Sequence, residues 1–250
     1  MVRTLFIVSL VAISGFAQTC NPDVASEAEV YEEVTELKNT MEATDSQGNV
    51  YTIGTDQVSE NDQDAYVEKR GPNGKILWSM HHSATPVDER AVLIHVDRYD
   101  IPWVVFSVDG GSTEQSFITQ KYLRDESVWE RSLFRGYGRA DGAAKVAVLA
   151  CLNPQHGKLE RATFLMSRTN EGNIDEVEKT NTMVVDGFFV GDTVAVDTRS
   201  WYLPPGVGAN HENFTFHPQA TDSTKVGDSW PVRYIFSRGL DLMYSADIIQ

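Results

Sequence analysis

The feature that most constrains the fold is a repetition of short β-rich segments at an interval of about 52 residues. The turn and strand-like run at 48–54 is repeated at 100–107. Several further positions keep the interval within one residue, which indicates a repeated structural unit rather than chance composition. The matched pairs are Asp45 with Asp97, Tyr51 with Trp103, Lys69 with Lys121, and Trp78 with Trp129.

The chain beyond residue 45 consists of strand-like runs separated by clusters of Gly, Asn, Asp and Pro. Such runs are typical of short antiparallel strands, and no stretch keeps a helical period for three turns. Weaker copies of the pattern follow at 162–166, 175–179 and 194–197. Four short strands per repeat are typical of a propeller blade. The sequence therefore predicts an all-β, β-propeller-like array of about four short antiparallel blades over residues 44–250.

The first unit also resembles a known family. Its segments read G-N-V-Y at 48–51, D-A-Y-V-E-K at 64–69 and G-K-I-L-W at 74–78. This order resembles the bacterial-type β-propeller repeats, whose units carry G-N-V-Y, D-A-F/Y-V-x-K and G-x-x-x-W strands. The resemblance covers residues 45–150 and is best over 45–97. It implies blades around a central axis and an extracellular setting, but it names no substrate and no catalytic residue.

The N-terminus predicts export. Residues 1–3 form a short basic start, residues 5–17 are largely apolar, and Ala17 is a small residue before the polar Gln18. This pattern is that of a signal peptide over residues 1–17, and it is shorter than the roughly 20 apolar residues of a membrane-spanning helix. No second apolar run of spanning length follows. The predicted mature protein is therefore secreted, extracellular and without a membrane span.

Residues 18–43 form an acidic N-terminal segment. The capping box at 26–29 and apolar residues at helical spacing up to Met41 favour a short helix or coil there. However, residues 40–45 also align with 92–97, so we expect a short helix or coil first and then a strand that enters the first blade. That strand would close the ring with C-terminal residues at 246–249.

Export changes what the two cysteines indicate. In an oxidising compartment Cys20 and Cys151 are able to pair, which predicts a disulfide, the alternative being two unrelated thiols. Asn213-Phe214-Thr215 is the only N-glycosylation sequon, so a secreted eukaryotic chain would be a glycoprotein modified at Asn213.

Composition excludes some partners. A formal net charge of −15 argues against nucleic acid, whose phosphates require clustered Lys and Arg.

The acidic loops 60–64 and 109–114 are rich in oxygen ligands, which predicts at most weak calcium binding, the alternative being solvated loops. Trp201 and Tyr202 precede two prolines and form a candidate ligand platform, the alternative being blade packing. Four histidines are expected at the surface: His81, His82, His211 and His217.

The sequence leaves three classes of function. It contains no recognisable motif for covalent chemistry. The favoured one is a non-catalytic extracellular protein that binds a protein partner or assembles as a homo-oligomer, through apolar patches or through cations such as calcium that bridge carboxylates. The second is a lectin-like or small-molecule-carrying propeller that binds a glycan or an apolar ligand. The third is a glycoside hydrolase that works through paired carboxylates.

Overall fold

The regular structure of the described residues is mainly β-strand. The computed structural model describes residues 41–60, 62–82, 88–109, 128–135, 145–169, 171–172 and 180–249. The predicted signal peptide and most of the acidic segment lie outside these residues. The strands are β1 (Glu42–Thr44), β2 (Val50–Ser59), β3 (Asp62–Arg70), β4 (Ile76–His82), β5 (Glu89–Val96), β6 (Pro102–Asp109), β7 (Lys145–Leu152), β8 (Leu159–Arg168), β9 (Thr180–Val190), β10 (Val194–Ser200), β11 (Trp230–Phe236) and β12 (Met243–Ile248). A short helix, α1 (Val128–Arg131), and a 3₁₀ turn (Asp222–Thr224) complete the described elements.

The strands follow one another as antiparallel meanders, as predicted. The first meander, β1–β4, is a separate four-stranded sheet. The second meander, β5–β8, and the third, β9–β12, are joined into one eight-stranded sheet. The join is short, because β8 and β9 pair only from Met166↔Thr182 to Arg168↔Thr180. The described residues thus hold three four-stranded units, where the sequence predicted about four.

The second meander forms the centre of the core. Every described side chain of β7 is buried, and all but one residue of β8 is buried. A strand buried on both faces reads as a continuous apolar run, which is how residues 146–152 read. The first meander instead alternates, with Tyr51, Ile53, Ala65 and Val67 buried and the intervening residues more exposed.

The outward faces of the first and third meanders carry ion pairs. Glu68 pairs with Arg70 at 2.6 Å on the first meander. On the third, Arg233 binds both carboxylate oxygens of Asp197 at 2.6 and 2.7 Å. These residues alternate along their strands with buried ones, as the two faces of a sheet require. The outward faces of the first and third meanders are therefore polar.

The repeat is confirmed for the aromatic pair Tyr51 and Trp103. Both lie in the second strand of their meander, and both are 0% exposed. The predicted equivalence of Trp78 and Trp129 is wrong, because Trp78 lies in β4 and Trp129 in α1. Trp78 is also only half-buried, not largely buried as predicted.

The predicted third strand of the second unit is in the wrong place. Lys69 on β3 lies opposite Tyr51, but the residue opposite Trp103 is Cys151 on β7. The structural counterpart of Lys69 is therefore Cys151 rather than Lys121, which lies outside the described residues. The interval of 52 fails here because a long insertion separates β6 from β7.

The strand pairing predicted to close a ring is also wrong. β1 pairs with β2, and residues 243–248 pair with β11. β1 and β12 are both edge strands within the described residues, and no pairing there joins them. Residues 194–197, one of the weaker copies of the pattern, begin β10, the second strand of the third meander.

Candidate functional site

Two turns of identical construction lie at one end of the first and second meanders. Asp45 and Asp97 each follow the first strand of their meander. One carboxylate oxygen of each accepts the backbone N–H groups two and four residues later, at 2.8–3.0 Å. Aspartate does this in turns because its short side chain reaches its own backbone. Two turns that lie 52 residues apart in the sequence therefore have the same hydrogen bonds.

The fourth residue of each turn has a left-handed backbone. Gly48 has φ 78° and Asp100 has φ 63°, a conformation that Gly adopts freely and that Asp tolerates better than most residues. Asp100 also joins the two turns, because its carboxylate accepts the backbone N–H and the hydroxyl of Ser46, both at 2.6 Å.

The second oxygen of each aspartate meets a cation that lies over an aromatic ring. In the first meander, Lys69 Nζ is 3.3 Å from Asp45 Oδ2 and 4.7 Å from the ring centre of Tyr51. Burial alone would raise the pKa of Asp45, but hydrogen bonds from Asn49 and the charge of Lys69 hold it below its usual value. Burial and the charges of Asp45 and Asp100 raise the pKa of Tyr51.

In the second meander the cation comes from the third meander. Arg238, in the turn between β11 and β12, donates to Asp97 Oδ2 and to the carbonyl of Gly191. Its guanidinium lies 5.3 Å from the ring centre of Trp103, whose indole N–H donates to the same Asp97 oxygen at 3.0 Å. Asp97 is 0% exposed at its side chain, so this ion pair is shielded from water.

A further ion pair completes a continuous row of turns. Arg98 binds Asp192 in the turn between β9 and β10. We call the turns 45–49, 97–101, 191–193 and 237–242 the turn face, because they lie side by side and are joined by side-chain bonds. Exposed residues occur along it, including Gln47, Arg98, Tyr99, Asp192 and Leu242.

The turn 153–158 attaches the first meander to the second. The indole N–H of Trp78 donates to the carbonyl of Pro154 at 2.9 Å, and Lys69 Nζ donates to the same oxygen at 3.3 Å. His82 Nε2–H donates to the carbonyl of Gly157 at 2.9 Å. Gly157 has φ 77°, and a Cβ atom there would lie 2.6 Å from the Trp78 ring.

The histidine prediction is mostly wrong. Only His81 is exposed, and it pairs with Asp56 at 2.7 Å. His82, His211 and His217 are 0%, 8% and 4% exposed. His82 contacts the Phe106 ring, and burial lowers its pKa to about 4. His211 and His217 lie in a loop with isolated bridges between β10 and β11.

One predicted acidic loop contributes to a carboxylate cluster. Asp62 and Asp64 on β3 meet Glu89 on β5, with one oxygen of each within 4.8 Å of the others. Glu89 is 0% exposed, and the Oδ1 atoms of Asp62 and Asp64 are shielded from solvent without a hydrogen bond. Burial and the charges of Asp64 and Asp88 raise the pKa of Asp62. Oxygens this close are able to surround one Ca²⁺, which binds oxygens at roughly 2.3–2.6 Å.

The sequence identified part of this cluster. Loop 60–64 was singled out for its oxygen ligands, but Glu89 comes from another meander and has no local signal. The second predicted calcium loop, 109–114, lies outside the described residues except for Asp109 at the end of β6.

The remaining predicted site residues are dispersed. Trp201 and Tyr202 are half-buried, and the Arg199 guanidinium lies 5.8 Å from the Trp201 ring centre. Their role as a ligand platform stays a prediction. Cys151 is buried on β7, but Cys20 lies outside the described residues, so the disulfide also stays a prediction. Asn213 is exposed, and the preceding residues Asn210, His211 and Glu212 help to line an open cavity of about 320 Å³.

Comparison with known proteins gives no relative. The chain matches no protein-family model and no curated protein. The resemblance to bacterial-type propeller repeats therefore stays a prediction. No helix formed by the described residues is long and apolar enough to cross a membrane.

Proposed function

We propose that this protein is secreted and works outside the cell, without covalent chemistry, as a binding or self-assembling module. The observation that carries the proposal is the turn face, in which bonds between the meanders hold four turns in one row. A rigid scaffold that presents loops is a common basis for recognition. In this proposal the three meanders are blades of a propeller-like array, and the turns are its binding edge.

The turn face suits a protein partner because it is already ordered. Binding costs free energy when loops and side chains have to be fixed, and the bonds between turns have fixed these in advance. Tyr99 is 40% exposed, and its ring lies near both Arg98 and Arg238. Leu242 is 48% exposed at the same edge. Aromatic residues and arginine are enriched at protein interfaces, whereas Lys and Glu are depleted.

A second copy of the chain is the partner that we favour. The net charge of −15 opposes association of copies through general electrostatics. Association would therefore rest on local apolar contacts, on Arg–carboxylate pairs, or on calcium that neutralises carboxylates.

The experiment is a mass measurement of the purified mature protein by sedimentation over a wide concentration range, with calcium and with chelator. We expect a defined oligomer that Leu242→Lys dissociates. The matched control is Val226→Lys, which places the same charge at an exposed apolar residue, 60% exposed, outside the turn face. This control should leave the oligomer intact.

Two other results would replace the proposal. A monomer that binds glycans on an array would establish the lectin-like alternative. A monomer that hydrolyses a glycoside, and loses this activity in Asp62→Asn or Glu89→Gln, would establish the hydrolase alternative.

A further inference from the structure

The loop that carries the only sequon is firmly anchored. Asn210 Oδ1 accepts the backbone N–H groups of Glu212 and Asn213 at 3.0 and 2.9 Å. The Asn210 N–H in turn donates to the Asn213 carbonyl at 3.0 Å. The backbone of Asn213 is thus fixed in a tight turn, while its side chain is exposed and has no hydrogen bond to any described residue.

The middle residue of the sequon anchors the loop in the core. Phe214 is 0% exposed, with its ring centre 5.9 Å from that of Phe134 and 4.7 Å from the Arg168 guanidinium carbon. Its backbone pairs with Gly172 in both directions at 3.0 and 3.1 Å. Phe214 is buried while the adjacent Asn213 is exposed, so the loop is held by one residue and presents the other to solvent.

A glycan at this position would therefore break no contact. It replaces one hydrogen on Asn213 Nδ2, and the backbone bonds of the loop remain as they are. The three residues before it, Asn210, His211 and Glu212, line an open cavity rather than a packed contact, so the loop has free space next to the sequon.

We propose that Asn213 carries the only N-linked glycan of this chain, an inference that rests on the proposed secretion. Asn213 Nδ2 forms a bond to C1 of the first sugar of a lipid-pyrophosphate-linked oligosaccharide. The bond between C1 and the pyrophosphate oxygen breaks, the amide loses one proton, and the lipid pyrophosphate leaves. The transferase of the secretory pathway catalyses the step, and Thr215 supplies the hydroxyl of the sequon.

The test is expression of the full chain in a eukaryotic secretory host, followed by intact-mass measurement before and after peptide-N-glycosidase. We expect one glycan that the enzyme removes, leaving aspartate at position 213. Asn213→Gln and Thr215→Ala should abolish the glycan, and Thr215→Ser should keep it. The matched control Asn210→Gln alters an asparagine of the same loop outside the sequon and should keep the glycan.

The possible failures are distinguishable. Protein that reaches the medium without a glycan overturns this inference and leaves the proposed secretion intact. Protein that is retained in the cell but glycosylated at Asn213 supports the inference and contradicts the proposed extracellular function. A glycan that persists in Asn213→Gln overturns the assignment of the site.

Discussion

The first and second meanders contain the same trio of an aspartate, an aromatic ring and a cation, but they obtain the cation differently. In the first meander Lys69 comes from the meander's own third strand. In the second, the position opposite Trp103 holds Cys151, and Arg238 of the third meander takes the place of the lysine.

The difference shows how a repeat can be converted into a contact between units. Lys69 holds the turn of its own meander through Asp45, and it contacts the second meander only through the Pro154 carbonyl, outside the turn face. A cation supplied by the next meander stabilises the turn and joins two units. Both aspartate side chains are buried, at 1% and 0% exposure, so each depends on a protein cation in place of water.

The largest expected loss of stability follows substitution of the two fully buried aromatic residues, Tyr51 and Trp103, rather than of Trp78. Trp103→Ala and Tyr51→Ala should each lower the free energy of unfolding by about 3–5 kcal/mol, because each removes a fully buried ring. Trp78→Ala should cost less, since Trp78 is half-buried. Urea unfolding measures the three variants. If Trp78→Ala and Trp103→Ala lose the same free energy of unfolding, the deeper burial of Trp103 does not make it more important for stability.

The attachment of the first meander to the second should weaken in acid. His82 has a pKa of about 4 in the folded protein, below its ordinary value of 6.5, so the unfolded chain binds the proton more tightly. Stability should therefore fall as the pH decreases from about 6.5 to about 4, by about 3 kcal/mol in total from this group. Urea unfolding across this range measures it.

A conservative variant isolates the contribution of His82. His82→Gln keeps a donor for the Gly157 carbonyl without titrating, so its pH dependence should be flatter. His81→Gln is the matched control at an exposed neighbour and should keep most of the slope. An unchanged slope in His82→Gln would exclude His82 as the source.

The same attachment should be sensitive to a methyl group at residue 157. Gly157→Ala combines a left-handed backbone with a contact of 2.6 Å to the Trp78 ring. Backbone strain of this kind costs about 1–3 kcal/mol, and the contact adds to it. Gly208→Ala is the control, because Gly208 has φ 86° but nothing within 4 Å of the added methyl. Equal losses of unfolding free energy would show that Trp78 does not press on the turn.

Calcium should have the smallest effect, at the contact between β3 and β5. If calcium binds Asp62, Asp64 and Glu89, it should stabilise the protein by about 1.4 kcal/mol at ten times its dissociation constant. Thermal unfolding with calcium, with chelator and with monovalent salt of equal ionic strength measures this. Asp62→Asn should remove the calcium response, and Asp222→Asn, at an exposed carboxylate, should keep it. A response that Asp62→Asn leaves unchanged would place the ion elsewhere.

Local sequence predicted the parts of the fold that depend on local chemistry. Asp45 and Asp97 form the same turn because each aspartate binds backbone only two and four residues away. Tyr51 and Trp103 follow those turns by the same number of residues, so they also occupy the same position.

The local sequence could not predict which residues contact one another across long distances in the chain. Cys151 replaces Lys69 in register because a long insertion moves the third strand of the second meander, and no local pattern records this. Glu89 joins the carboxylate cluster, and Arg238 reaches Asp97, only through the packing of one meander on another. His82, His211 and His217 are buried because backbone groups distant in sequence accept or donate their hydrogen bonds.

The central claim is that Arg238 holds the turn of the second meander from the third. Native-state hydrogen exchange tests it most directly, through the amides of Tyr99 and Ile101, which donate to Asp97. We predict that Arg238→Ala lowers their protection and leaves that of Gln47 and Asn49 unchanged, whereas Lys69→Ala does the reverse. Unchanged protection of Tyr99 and Ile101 in Arg238→Ala, or an equal loss in both turns, would contradict the account.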